Sequence, residues 1–128
     1  MGSVTLKLAR QTLTNVDDAA GRWQFEGGRV LKGNKHVGFY GITRRVINGG
    51  TDAQNTAMVT GTLFFLDEKP PQNITFQGAH DFNSGRYIGS VSAASTKYAW
   101  INGALFTGES GAGTLKIDWL GSDGLTLP

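Results

Sequence analysis

The side chains of this 128-residue chain that could carry out chemistry form a short set. His80 ionises near neutrality, so it could give or take a proton as a general acid or base; a structural imidazole bonded to a neighbour or to water fits its position somewhat better. Tyr98 and Asn102 stand in the stretch Ser95 to Gly108, STKYAWINGALFTG. Both could donate hydrogen bonds to a carbonyl or enolate oxygen. Tyr40, between Gly38 and Gly41, is a further donor whose direction those two glycines leave open. His36 follows the Gly33-Asn34 pair and is expected in solvent. There is no cysteine, hence no thiolate nucleophile and no disulfide. Two histidines without a clustered acidic partner do not make a metal site, so no metal is expected. Ser3, Ser84, Ser90 and Ser92 lack the setting of a nucleophile elbow, and no glycine-rich loop opens a helix. Hydrolase, kinase and dehydrogenase chemistry fall away, and no cofactor is expected.

The elements that must position these residues are strands. In the stretch just quoted, Tyr98, Trp100, Asn102, Ala104 and Phe106 share one side, and Ala99, Ile101, Gly103, Leu105 and Thr107 the other. The same period of two runs through Val4–Thr14, which breaks near Arg10, through Arg22–Glu26 and through Arg29–Lys32. It continues in His36–Ile47, Thr56–Leu66, Asn73–Phe82, Arg86–Ala93 and Thr114–Leu120. Gly33-Asn34 is a hairpin signal, Gly27-Gly28 a bend, and Gly38 and Gly41 signal curvature or close approach of backbones. No stretch has the apolar spacing of an amphipathic helix. About eight short strands with little helix predict one all-β domain over residues 1–128, a closed antiparallel barrel or a sandwich. The barrel is preferred because so many strands carry bulky residues on both faces.

Composition narrows the partners. Twelve Lys and Arg stand against ten Asp and Glu, a net charge of +2, and Arg44-Arg45 is the only adjacent basic pair. That is no nucleic-acid footprint. Nothing approaches the roughly 18 apolar residues of a membrane-spanning helix. No apolar segment of a secretory signal follows Met1, so a cytoplasmic location is expected.

Three blocks of sequence resemble the barrel shared by allene oxide cyclases, plant dirigent proteins and bacterial spirotetronate cyclases, the last most closely. They are Phe25 to Gly38, FEGGRVLKGNKHVG; Gly78 to Asn83, GAHDFN; and Lys97 to Gly108, KYAWINGALFTG. The resemblance implies a closed barrel whose lumen binds an apolar or polyketide-like molecule and steers its cyclisation. It places Phe25, Phe82, Asn102 and Phe106 at lumen positions. Asn102 stands where the bacterial enzymes have an arginine, Thr60 where they have a tyrosine and Ala104 where they have a tryptophan.

Given that orientation, parity sends Trp23, Met58, Thr60, Thr62, Phe64, Phe76, His80, Tyr98 and Trp100 inward as well. The expected lumen is then an aromatic cavity, with Trp23, Phe25, Tyr40, Met58, Thr60, Phe64, Phe76, Phe82, Trp100 and Phe106 contacting the substrate. His80, Tyr98 and Asn102 would be its catalytic polar groups. Rings that simply fill a small barrel are the alternative. The resemblance implies a homo-oligomer, a dimer or trimer, and Ala57, Val59, Leu63, Phe65, Ile101 and Leu105, which should face outward as apolar surface, add to that expectation. Two functions follow. One is a cofactor-independent cyclase or isomerase of a natural-product intermediate. The other is a non-catalytic or dirigent-type binder of a small hydrophobic molecule. A lectin built on the polar loop 48–55 is less favoured, since the rings lie in strands.

Overall fold

The computed structural model describes residues 2–18, 21–47, 56–66, 73–93 and 101–119. They form the strands β1 (Gly2–Asp18), β2 (Gly21–Lys32), β3 (Lys35–Ile47), β4 (Thr56–Phe65), β5 (Asn73–Asp81), β6 (Arg86–Ala93), β7 (Leu105–Glu109) and β8 (Thr114–Trp119). Each strand pairs antiparallel with the next and β8 returns to β1, which closes the barrel. Among the described residues none is in an α-helix, and no helix is long and apolar enough to cross a membrane.

The closure is lopsided. β8 pairs β1 only from Gly2↔Trp119 to Lys7↔Thr114, and the Leu8 N–H then donates to the Gly113 carbonyl at 2.6 Å. Beyond that point, among the described residues, β1 pairs with β2 alone, with a bulge between Arg10 and Thr12. The break expected near Arg10 is this bulge. The bend expected at Gly27-Gly28 lies opposite it, and β2 itself runs through unbroken.

Below the level of Arg44 the lumen is solid. Leu6, Leu63, Ile74, Phe76, Ile101, Phe106, Leu115 and Ile117 are among the residues that fill it. Two inner-face glycines make room for rings from neighbouring strands. A Cβ on Gly61 would lie 2.1 Å from Cζ of Phe76, and one on Gly108 would lie 2.1 Å from Cε2 of Tyr87. Phe76 and Phe106 meet edge to face, with centroids 5.1 Å apart. Such interdigitation gives the density of a protein interior rather than a tube.

Several expected orientations are overturned. On β4 the inner face is Ala57, Val59, Gly61, Leu63 and Phe65, while Met58 and Phe64 are 57% and 48% exposed and Thr60 is exposed. The expected assignment was the reverse. The Phe76 ring decides it, because only the Gly61 side of β4 leaves space for that ring. On β2, Phe25 is 43% exposed; it stacks parallel to Trp23, and the Arg45 guanidinium covers Trp23 at 4.7 Å. Their polar neighbours Gln24 and Glu26 turn inward because β3 supplies partners for them. Of the residues expected outside, Ala57, Val59, Leu63, Phe65 and Ile101 are buried, and Leu105 alone is exposed. The late strand also begins later than its alternation suggests. Ile101–Gly103 form a turn, and β7 starts at Leu105.

Candidate functional site

At the other end of the barrel the lumen changes character. Tyr40, Ile42, Arg44 and Val46 alternate inward along β3, which puts one cation on an apolar face. Register aligns Arg44 with Gln24 on β2 and with Val59 on β4, and Ala57 on β4 aligns with His80 on β5. His80 in turn faces Tyr87 on β6. Four strands, β2, β3, β5 and β6, therefore deliver one polar cluster, with β4 between them.

Arg44 is its centre and is only 2% exposed. Its Nε donates to Nδ1 of His80 at 2.9 Å, and its Nη1 donates to Oε1 of Gln24 at 3.1 Å and to Oε1 of Glu26 at 2.8 Å. The Tyr40 hydroxyl donates to the other Glu26 oxygen at 2.6 Å. Gln24 is fixed in turn, its amide nitrogen donating to Oδ1 of Asn15 at 3.0 Å. The Arg44 guanidinium carbon lies 5.9 Å from the centre of the Tyr87 ring. An unpaired guanidinium would be very costly at this depth. Glu26 balances its charge, and three acceptors occupy Nε and Nη1.

The cluster fixes protonation states. Guanidinium can only donate, so Nδ1 of His80 is an acceptor and the neutral ring carries its proton on Nε2. Burial, and next the Arg44 charge, hold the His80 pKa below its ordinary value; Asp81, Glu26 and the Gly85 backbone oppose them more weakly. Nε2 is buried with no hydrogen-bond partner among the described residues. The ring lies against Phe82 and Tyr87, with centroids 4.7 and 5.2 Å away. Tyr40 is pushed well above the phenolic range by burial first and then by its bond to Glu26. Burial likewise raises Tyr87. Both tyrosines thus stay protonated as donors.

A cavity of about 480 Å³ opens over this cluster, within the size range of small-molecule sites. Gln24 and Arg44 form its floor, Val46 and Phe82 supply apolar wall, Trp23 borders it from the outer side of β2, and Asn15, Asp17 and Arg22 edge the mouth. The arrangement can seat an apolar body and present a rigid guanidinium to a carbonyl or enolate oxygen.

The expected site residues divide accordingly. Trp23 and Phe82 line the cavity, and Tyr40 and His80 belong to the cluster beneath it. Phe76 and Phe106 pack in the solid core, while Phe25, Met58, Thr60 and Phe64 lie on the outer surface. Asn102 is exposed in the turn before β7, away from the cluster. Tyr98 and Trp100 fall outside the described residues. Sequence reasoning missed Arg44, Glu26 and Gln24. The signal was present: Arg44 interrupts an apolar face of β3, and Gln24 and Glu26 share a parity that could answer it. Among the described residues no group of histidine, aspartate and glutamate side chains is arranged to hold a metal ion.

No protein-family model matches the chain, and no curated protein does. A solved structure does match. It is an enzyme from Penicillium herquei, with a TM-score of 0.50 and 14% sequence identity over 89% of this chain and 90% of that one. At that identity the likeness establishes a shared fold over nearly the whole length of both chains.

Proposed function

We propose that the chain is a cofactor-independent cyclase or isomerase. Its substrate is a small hydrophobic, polyketide-like intermediate seated in the cavity above Arg44. The observation that carries this reading is the buried guanidinium, braced on Nε and Nη1 and bordering a cavity with apolar walls. Val46 and Phe82 would hold the carbon skeleton in a reactive conformer, which is where proximity supplies its gain. Arg44 would take the negative charge that develops on a substrate oxygen. Glu26, Gln24 and His80 are positioning residues, since they act through Arg44. The likeness to an enzyme barrel supports the reading at the level of fold, as do the sequence blocks that resemble the spirotetronate cyclases.

A second reading is a binder or dirigent-type guide without acid–base chemistry. It is favoured by the cavity lining, in which Asp17 is the only carboxylate among the described residues and His80 lies behind Arg44. The test offers linear, carbonyl-bearing polyenes and looks for a product of unchanged mass and new retention time, with binding followed separately by tryptophan fluorescence. In the enzyme reading Arg44→Gln lowers turnover about a hundredfold or more, by analogy with loss of one oxyanion donor. Trp23 still reports binding in that variant. Binding without isobaric product in the parent protein favours the guide.

A further inference from the structure

The upper half of β1 has an edge that the lumen does not explain. From Arg10 to Asp17 every residue is exposed. The strand has β2 on one side, and on the other no strand pairs with it among the described residues. Proteins ordinarily blunt such an edge with lysine, proline or a covering loop. Here Gln11 to Val16 reads Gln-Thr-Leu-Thr-Asn-Val, uncharged and without proline, with β-branched Thr12, Thr14 and Val16. Charge appears only at the two ends, as Arg10 and Asp17.

We infer that this edge is completed by the same edge of a second copy of the chain, paired antiparallel about a two-fold axis through Thr14. Side-chain direction and backbone direction are locked along a strand. Leu8 points inward and sends its N–H toward β8. Past the bulge the inward residues are Leu13, Asn15 and Asp17, opposite Glu26, Gln24 and Arg22. These therefore turn their N–H and C=O groups to the open edge. With the axis at Thr14, Leu13 of each copy meets Asn15 of the other in a hydrogen-bonded pair. Thr14 meets its own counterpart in a non-hydrogen-bonded pair, and Thr12 meets Val16. Asp17 then falls against the Arg10–Gln11 bulge, so both ends of the ladder match opposite charges. Moving the axis by one residue in either direction takes Asp17 off Arg10. Charge thus selects the register, and a closed two-fold dimer removes both free edges at once. Arg22, Asp17's neighbour across the ladder in its own chain, remains on the other side. Asn15 and Asp17 also edge the cavity, so the second copy would lie beside its mouth.

The chain has no cysteine, so a single introduced one can crosslink only between copies. In the pairing described, the two Thr14 Cα atoms lie about 4.5 Å apart, within the disulfide range. Thr14→Cys under mild oxidation should give a reducible covalent dimer on a denaturing gel. Val16→Cys, which faces Thr12, should not. Light scattering of the unmodified protein at micromolar concentration should report twice the chain mass. Leu13→Pro, which removes only an outward N–H, should report a monomer with an unchanged circular dichroism spectrum. A parent protein that is monomeric overturns the inference. So does a dimer in which Val16→Cys crosslinks as readily as Thr14→Cys, or in which neither does. If Leu13→Pro fails to fold, the two cysteine variants decide alone.

Discussion

Replacing Arg44 with methionine tests the electrostatics of the lumen directly. The side chain fits the same stem, but its three hydrogen bonds disappear. Glu26 is left with Tyr40 as its only partner in the cluster, at a side-chain exposure of 10%. Removing one member of a buried ion pair costs about 3–5 kcal/mol, because the other charge stays behind uncompensated. A domain of this size has about 5–15 kcal/mol in total, so the melting temperature should fall by roughly 10–20 °C. The double variant Arg44→Met/Glu26→Gln removes both charges and should recover at least about 2 kcal/mol of the loss. Urea unfolding of the four proteins in the cycle measures all of this. If Arg44→Met lies within about 1 kcal/mol of the parent and the double variant shows no recovery, the guanidinium is not held by a buried charge pair. The candidate site then loses its foundation.

Other outcomes are open to simpler measurements. The His80 pKa lies below its ordinary value in the folded chain, so its neutral form contributes stability above the unfolded value of 6.5 that is lost as the pH falls through the folded one. His80→Gln should flatten that part of the stability profile, and an unchanged slope would refute the assignment. Phe106→Ala should cost about 3–5 kcal/mol and Met58→Ala under about 1, in calorimetry or denaturant titration. The reverse order would mean that the barrel faces are wrongly assigned. Gly61→Ala should destabilise by roughly 1–3 kcal/mol, since the new methyl meets the Phe76 ring. Adding Phe76→Leu to that variant should recover part of the loss.

Much of the architecture was legible because period two survives any error about which face is which. The strands, the Gly33-Asn34 hairpin and the break near Arg10 all follow from local residue types. Facing was harder. Met58, Thr60, Thr62 and Phe64 are as plausible inside a barrel as Ala57, Val59, Gly61, Leu63 and Phe65, and the choice depends on a ring carried by a different strand. On β2 hydrophobicity pointed the wrong way, since Trp23 and Phe25 looked like core and Gln24 and Glu26 like surface. Burying the polar pair is favourable only once Arg44 and Tyr40 arrive from β3, and no local window contains that information. Arg44 was read with Arg45 as a basic pair, although alternation sends the two to opposite sides of the sheet.

The packed rings below the cavity have a kinetic meaning. With Phe76, Phe106 and their neighbours filling the barrel, the site has a blind end among the described residues, and traffic passes through the mouth edged by Asn15, Asp17 and Arg22. A long flexible molecule must then thread in by one end. Whichever part goes in first reaches Arg44 and leaves last. If the chain turns over as proposed, product must clear the mouth before the next molecule enters, so product should compete with substrate and release can set the pace.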